Sequence, residues 1–230
     1  MMIHFLESNN MKYVKFSVND GYKNMEIDSE LLEKAIFEKF DEPIFRLYAW
    51  EPKCVSLGRN QKEDFIKDVD IDCVRRLTGG RALLHDNEIT YSYVSPISII
   101  PNGETVINSY KYISSILIDF FKTLGVELDF GEGKAVKTKF DYCMLISTGA
   151  DVCYQGKKII GSAQFRKEGY VLQHGSILFD YDKTLLEELF KEEVSTDSIT
   201  TMKEILPNFT KEEFIQKFEN YLVEKFKVNL

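Results

Sequence analysis

Segments with helical and strand character follow one another irregularly along the chain, and this order limits the folds that it can adopt. Nine short runs rich in β-branched and aromatic residues predict strands, and Gln155-Gly156 and Glu168-Gly169 predict tight hairpin turns. The strands are 44–50, 55–57, 73–75, 82–85, 89–94, 126–130, 151–154, 158–165 and 170–179. Because these runs do not alternate regularly with helices, the sequence predicts an α+β fold rather than a doubly wound parallel sheet.

Four segments carry apolar residues at helical spacing. They are 29–40, 109–124, 183–191 and 210–226. Asp28-Ser29 is expected to cap the first of these helices, and Thr210 with Glu213 forms a capping box before the last. Hydrophobic residues are spread evenly and no Pro, Gly or Ser linker interrupts the chain. We therefore expect a single domain over residues 1–230, with a helical C-terminal part at 183–230.

Charge and cysteine usage exclude several classes of function. The 230 residues include 37 acidic and 29 basic side chains, a net charge of −8 that disfavours a general nucleic-acid binder. No stretch approaches the length of a membrane span, and we expect neither a signal peptide nor a membrane partner. The four cysteines form no Cys-x-x-Cys pair, which argues against a zinc site of local spacing. Reduced thiols predict a cytoplasmic protein.

One short stretch, the Gly-rich segment at residues 75–81, does not resemble an ordinary structural turn. Arg75-Arg76-Leu77-Thr78-Gly79-Gly80-Arg81 lies between two predicted strands. Its glycines allow the backbone to turn sharply and to approach a ligand, and its arginines offer forks for a phosphate or carboxylate. The alternative interpretation is a hairpin turn with solvated arginines. The cluster matches neither the dinucleotide-binding fingerprint nor the P-loop.

Further candidates lie on the predicted strands that follow. Lys158 precedes the small residues Gly161-Ser162-Ala163, which leave room beside the backbone for a slim apolar group. Close packing between strands would explain the same pattern. His85 and His174 each end an apolar strand; a lone histidine in this setting is often a hydrogen-bonded core residue, and neither belongs to a Ser-His-Asp pattern.

Three of these motifs in order resemble the lipoate–protein ligase and octanoyltransferase family. They are RRLTGGRALLHDNEITYS at 75–92, KKIIGSAQFRKEG at 157–169 and LQHGSILFD at 172–180, and PKCVSLGRNQ at 52–61 resembles the family's preceding strand and turn. The resemblance covers about residues 48–180. It implies a single catalytic domain of a larger and a smaller mixed sheet flanked by helices, as in biotin–protein ligases.

The resemblance also implies a reaction and a site. The product would be an octanoyl or lipoyl group in amide linkage to a lysine of a carrier domain, such as the glycine cleavage H protein or a dehydrogenase E2 domain. Lys158 would be the family's central lysine. The acyl and substrate site would comprise residues of the Gly-rich segment and of the two later strands: Arg76, Thr78, Gly79, Gly80, Arg81, His85, Gly161, Ser162, Ala163, Gln164, His174 and Gly175.

Family members reach this amide by two chemistries. An octanoyltransferase takes the acyl group from acyl carrier protein onto a cysteine and needs no cofactor. Cys143 precedes Lys158 by 15 residues (158 − 143), a spacing similar to that of the octanoyltransferases with a Gly-Ser-Ala motif, and a nearby ammonium favours its thiolate. Gly161-Ser162 backbone N–H groups are the expected oxyanion donors. The other three thiols, Cys54, Cys73 and Cys153, are interpreted as packing residues.

A lipoate–protein ligase is the alternative, because it would activate the free acid with ATP and Mg²⁺. The sequence after Cys143 departs from the transferase pattern, and Asp151 matches an aspartate that ligases use for magnesium-ATP, whereas Ala150 does not match. Arg81 and the 84–92 stretch are more similar to transferases. We therefore expect the transferase. A catalytically inactive acyl- or biotin-binding regulator and a structural carrier chaperone are weaker hypotheses from other classes, and the presence of both Cys143 and Lys158 argues against the regulator.

Overall fold

Two sheets of unequal size, each flanked by helices, form the framework. The computed structural model describes residues 10–66, 70–131, 142–145, 150–191, 193–194, 197–226 and 228. Its strands are β1 Lys12–Asn19, β2 Ile44–Trp50, β3 Cys54–Leu57, β4 Asp72–Arg75, β5 Leu83–His85, β6 Glu88–Pro96, β7 Asp129–Phe130, β8 Val152–Tyr154, β9 Lys157–Lys167 and β10 Tyr170–Leu178. Its helices are α1 Gly21–Phe37, α2 Val106–Thr123, α3 Lys183–Phe190, α4 Met202–Ile205 and α5 Lys211–Phe226.

The pairing of the strands confirms the predicted α+β class. In the described residues the larger sheet has seven strands in the order β1-β2-β6-β10-β9-β8-β7, and the smaller has three in the order β4-β3-β5. Both sheets are mixed, because β1 and β2 are parallel, as are β3 and β4, whereas the other pairs are antiparallel. Both residues of each predicted hairpin turn have positive φ, as a type I′ turn requires.

The two faces of the larger sheet pack against different layers. On one face, α2 and α5 bury an aromatic core in which Phe120, Phe214 and Phe218 contact one another edge-on or stacked. On the other face, Leu32 and Ala35 of α1 pack on β2, β6 and β10. The smaller sheet lies on this second side, where Tyr48 and Trp50 of β2 pack with Cys54 and Val74. A space between the two sheets follows from this arrangement.

Helix α1 differs most from the prediction. It begins at Gly21, eight residues before the predicted start, and Asp20 caps it by accepting a hydrogen bond from the Lys23 N–H at 2.8 Å. The expected cap residue Asp28 instead lies inside the helix and is buried. The prediction was wrong because the buried face of α1 carries polar side chains at Asn24 and Asp28, which hide its helical periodicity.

The other helices follow the sequence more closely. Thr210 and Glu213 form the predicted capping box, with reciprocal hydrogen bonds of 2.9 and 3.1 Å. The predicted strand 126–130 shortens to β7, and β1 was missed altogether because it is a half-exposed edge strand without a continuous apolar face. No helix within the described ranges has the length and hydropathy needed to cross a membrane.

Candidate active site

A cavity lies between the smaller sheet, α1 and the larger sheet. The space between its walls, counted out to its open mouth, is about 420 Å³. The apolar part of the wall comes mainly from Met25, Tyr48, Trp50, Leu83 and Ala163. The rest of the lining consists of polar or small residues: Arg76, Gly80, Arg81, His85, Thr90, Cys143, Gly161, Ser162, His174, Gly175 and Ser176. The site can therefore hold a slim apolar group beside a thiol and several cations.

Cys143 reaches this wall through a short connection to the Gly-rich segment. The Cys143 N–H donates to the Ala82 carbonyl at 2.9 Å, and the preceding residue forms a parallel bridge with Ala82. Cys143 begins a 3-10 turn that ends at residue 145. The adjacent Met144 is buried against Gly161, whereas Cys143 is only partly buried. The thiol is therefore held at the cavity by backbone contacts on both sides.

Lys158 lies directly behind this cysteine and is fully buried. Its ammonium donates to the Cys143 carbonyl at 3.1 Å and pairs with Asp151 Oδ1 at 3.1 Å. Burial lowers the pKa of Lys158, but the negative charge of a Cys143 thiolate and the charge and hydrogen bond of Asp151 outweigh it, so the net shift is upward. Lys158 is therefore a permanent cation at neutral pH. Its charge favours a negative charge at the neighbouring thiol or at a bound reactant.

Two glycines on facing strands allow these groups to approach. A Cβ on Gly161 would lie 2.9 Å from Met144 Sδ and 3.0 Å from Lys158 Cε, so a side chain there would displace the lysine. A Cβ on Gly175 would lie 2.2 Å from Ser162 Oγ and 2.8 Å from the Gly161 carbonyl oxygen. Glycine is therefore required at positions 161 and 175, because a side chain at either position would collide with the neighbouring backbone or side chains.

The Arg76 guanidinium holds the Gly-rich segment (residues 75–81) in place and is not free to bind a phosphate or carboxylate. Its guanidinium donates to five oxygens of the chain: Thr78 Oγ1 at 3.4 Å, the Ser56 carbonyl at 2.6 Å, Ser56 Oγ at 2.7 Å, the Gly79 carbonyl at 3.1 Å and the Arg81 carbonyl at 2.9 Å. These partners match its five N–H groups. The expected bidentate contact to a phosphate or carboxylate is therefore already occupied, and Arg76 acts on the cavity through its buried charge.

The two histidines flank Arg76 in the same way. Ser56 Oγ accepts from Arg76 and so directs its own proton to His85 Nε2, at 2.6 Å. Thr78 Oγ1 likewise accepts from Arg76 and lies 2.7 Å from His174 Nε2. The Nδ1 of each ring faces a carboxylate at 3.1–3.2 Å and donates to it: Glu88 for His85 and Asp28 for His174. The hydrogen-bond network thus holds each ring between a hydroxyl and a carboxylate.

Asp28 was predicted only as a helix cap, not as a site residue. This carboxylate accepts from Arg46 at 2.9 Å, Tyr48 at 2.8 Å and Ser92 at 2.8 Å, besides His174. Burial raises its pKa, but the bond and charge of His174, the charge of Arg46 and the Tyr48 hydroxyl more than compensate, and the net shift is downward. Its only sequence signal is a carboxylate one turn before the buried Leu32 of an amphipathic helix.

Most of the predicted site residues line the cavity, but several lie behind its wall. Thr78 contacts His174, Lys158 lies behind Cys143, and Gly79 is exposed on the adjacent loop. Gln164 points to the α2 side, where it bonds Gln173 and Ser109. Six further lining residues were not predicted; they come from α1, β2, β5, β6 and β10: Met25, Tyr48, Trp50, Leu83, Thr90 and Ser176. Their apolar or small side chains resemble ordinary core residues in sequence.

Asp151, the possible magnesium ligand of the ligase alternative, faces Lys158 in this structure. In the part of the chain described, no group of three or more His, Cys, Asp or Glu side chains is arranged to hold a metal ion. Residues 146–149, on which the comparison of transferase and ligase patterns also depends, lie outside the described residues.

We expect His85 to make the fold sensitive to mild acid. Burial lowers the pKa of His85, and this effect exceeds the opposing influence of Glu88. The unfolded chain therefore binds a proton at a higher pH than the folded protein, and stability should fall as the pH drops below about 6.5, by at most about 1.4 kcal/mol per pH unit. Urea unfolding between about pH 7.5 and 5.5 measures this slope. His85→Gln should flatten it, and an unchanged slope in this variant would contradict the assignment.

Known proteins match this chain over most of its length. The family model described as the lipoyl protein ligase A/B catalytic domain matches residues 20–223. Octanoyltransferase LipM of Macrococcus caseolyticus is 38% identical over 196 residues, covering 77% of this chain and 69% of that protein. Octanoyltransferase LipM of Clostridioides difficile is 40% identical over 181 residues, covering 75% and 65%. The chain thus spans about two thirds of the length of these relatives.

Solved structures show the same fold. Lipoate-protein ligase A bound with ATP superposes with a TM-score of 0.70 at 20% identity, covering 96% of this chain and 87% of that chain. At this identity the likeness concerns architecture alone, and it confirms the predicted arrangement of a large and a small sheet. Together with the family model and the curated relatives, it confirms the resemblance found from the motifs. The chain belongs to the lipoyl protein ligase A/B catalytic domain family.

Proposed function

We propose that this protein is an octanoyltransferase of lipoate biosynthesis. It takes an octanoyl group from acyl carrier protein and transfers it, through a thioester on Cys143, to a lysine of a lipoyl carrier domain. The identity with octanoyltransferases supports the reaction class. One structural observation carries the covalent route: the partly buried Cys143 lines the cavity together with the buried Arg76, and the buried Lys158 ammonium contacts the Cys143 carbonyl.

The first half-reaction exchanges one thioester for another. The Cys143 thiolate attacks the carbonyl carbon of the octanoyl donor, a new C–S bond forms, and the bond to the pantetheine sulfur breaks. The departing thiolate takes a proton from water. Lys158 and Arg76 contribute two positive charges to this site. A thiolate at Cys143 raises the pKa of Lys158, whereas burial lowers the pKa of Arg76 and the thiolate only opposes that shift. No ATP is needed, because the acyl group arrives activated.

The second half-reaction forms the amide. The neutral ε-amine of the acceptor lysine attacks the octanoyl-Cys143 carbonyl, the C–N bond forms, and the Cys143 thiolate leaves and is again stabilised by the same two cations. The amine nitrogen loses its extra proton to solvent. The Lys158–Asp151 ion pair does not involve the thiol, so acylation of Cys143 removes neither partner and the ammonium is expected to stay in place through both half-reactions.

The cavity suits a medium-length acyl chain. Strand β5 runs from beside Cys143, at Ala82, to His85, an advance of about 10 Å for three residues. An octanoyl chain has seven C–C bonds and spans about 8 Å when extended, at the reach per bond of an extended backbone. Trp50 stacks on His85 with ring centroids 3.8 Å apart and, with Met25 and Tyr48, closes the far side.

Two further aspects belong to the proposal. The transferase needs neither metal nor nucleotide, and its four cysteines, all free thiols in the structure, suit a reducing compartment such as the cytoplasm. The ATP-dependent ligase is the second candidate, favoured by the architecture it shares with lipoate-protein ligase A. In that reaction Asp151 would have to exchange its lysine contact for magnesium.

A comparison of acyl sources tests the proposal. The protein is incubated with an apo lipoyl domain and either octanoyl-acyl carrier protein without ATP, or octanoate with ATP and Mg²⁺, and the domain's mass is followed. We expect modification with the first donor set and none with the second. Modification only from free octanoate and ATP would replace the transferase by the ligase.

A further inference from the structure

Arg59 lies on the rim of the cavity and spans its two sides. It follows Gly58, whose Cα faces the Gly80 carbonyl so closely that a Cβ there would lie 1.9 Å from this oxygen. The Arg59 N–H also donates to the Thr78 carbonyl at 2.9 Å. On the opposite side its guanidinium lies over the ring of Phe165, 5.3 Å from the centroid, two residues beyond the lining residue Ala163 on the same face of β9.

The backbone that carries Arg59 is held firmly. Arg75 Nη1 donates to the Gly58 carbonyl at 2.9 Å and to the Gln61 carbonyl at 2.7 Å, so one guanidinium clamps both ends of this loop. The predicted functional cation Arg75 is thus engaged with its own chain. Arg59 is different, because it is exposed and its side chain makes no hydrogen bond or ion pair with any described residue.

The distance from Cys143 to Arg59 is similar to the length of the phosphopantetheine arm that carries the acyl group on the donor. Gly161 lies near Cys143, since both line the cavity and a Cβ on Gly161 would lie 2.9 Å from Sδ of the adjacent Met144. From Gly161 to Phe165, strand β9 advances about 13 Å over four residues. In a phosphopantetheine arm, thirteen bonds separate the sulfur from the phosphorus, which corresponds to about 15 Å when extended. A thioester at Cys143 therefore brings the phosphodiester of the arm to the level of Arg59.

We propose that Arg59 binds the phosphodiester of the acyl donor's phosphopantetheine arm. This inference rests on the proposed function and names the part of the donor recognised at the mouth. The contact with the Phe165 ring positions the guanidinium, and its N–H groups, which no described residue occupies, can make charge-assisted contacts with phosphate oxygens. The acceptor lysine carries no such phosphate, so Arg59 serves only the donor half-reaction.

Binding of small donors to the Cys143→Ala protein tests this without any chemistry. Trp50 is the single tryptophan and lines the cavity, so its fluorescence reports occupancy. We expect octanoyl-4′-phosphopantetheine to bind more tightly than octanoyl-pantetheine, and Arg59→Ala to abolish this difference by weakening only the phosphorylated ligand, about tenfold. Lys15→Ala removes another exposed cation, which lies on β1 outside the cavity lining and has no ion pair with a described residue; this matched control should leave both affinities unchanged.

Each other outcome overturns the inference. If Arg59→Ala weakens both ligands equally, or neither, the residue does not recognise the phosphate. If it slows acylation by octanoyl-acyl carrier protein while both small ligands bind as before, Arg59 contacts the carrier protein's surface instead. If octanoyl-4′-phosphopantetheine binds no more tightly than octanoyl-pantetheine to the protein that retains Arg59, the rim holds no phosphate site. Failure of the proposed function would appear separately, as absence of acyl transfer by the Cys143 protein even though the ligands bind.

Discussion

Replacement of Cys143 by alanine is expected to lower octanoyl transfer to an apo lipoyl domain by a factor of about 10³ or more. The thiol is the group whose sulfur would carry the acyl chain, and the remaining cavity and cations would only bind the reactants. The rate of domain modification from octanoyl-acyl carrier protein measures the loss. Because alanine occupies less space and Cys143 is held through backbone bonds, the fold should persist.

Cys73→Ala is the matched control for this experiment. Cys73 is also partly buried, but it lies on β4 outside the cavity lining, and burial raises the pKa of its thiol. We expect this variant to retain transfer activity. Full activity of Cys143→Ala, with or without loss in Cys73→Ala, would exclude Cys143 as the nucleophile.

Removal of either member of the Lys158–Asp151 pair is expected to cost both stability and activity. Lys158→Met leaves a carboxylate buried, and Asp151→Asn leaves an ammonium buried; breaking a buried pair in this way costs about 3–5 kcal/mol. Loss of the ammonium should also lower the acylation rate of Cys143 by about 10²–10³-fold, the usual effect of removing one preorganised electrostatic group. Urea unfolding and the rate of acyl-enzyme formation measure the two losses.

The double variant separates the structural role of this pair from its chemical role. Replacing both partners by uncharged groups of similar shape often restores stability. Lys158→Met with Asp151→Asn should therefore unfold closer to the wild type than either single variant, while acylation stays slow. If activity returned together with stability, Lys158 would be a structural residue, and its charge would have no part in the reaction.

The sequence predicted those parts of the molecule in which local pattern and tertiary structure agree. Helix α5 carries a regular apolar face and a capping box, and the hairpin turns at Gln155 and Glu168 need positive φ, so both were found. The start of helix α1 was predicted wrongly because part of its inward face consists of polar side chains that form a hydrogen-bond network. A search for apolar helix faces fails where the inward face of a helix carries buried polar side chains, as at Asn24 and Asp28.

The site was predictable as a set of motifs but not as a mechanism. The spacing of Cys143 and Lys158 suggested that they are neighbours, and the Lys158 ammonium does contact the Cys143 carbonyl; their catalytic roles remain a prediction. Nothing in the sequence indicated that Asp151 would face the lysine. Arg76 was predicted as a free fork because composition does not reveal that Ser56, Thr78 and nearby carbonyls use all its donors. These contacts join β3 to the Gly-rich segment, and they exist only after folding.

The acyl-enzyme itself provides the most direct test of this account. The protein is mixed with octanoyl-acyl carrier protein in the absence of acceptor and of ATP, and its intact mass and proteolytic peptides are measured. We predict a gain of one octanoyl group, located on Cys143, sensitive to hydroxylamine, lost in Cys143→Ala and discharged when an apo lipoyl domain is added. A protein that modifies the domain without ever gaining this mass, or that gains it at a residue other than Cys143, would contradict the covalent mechanism.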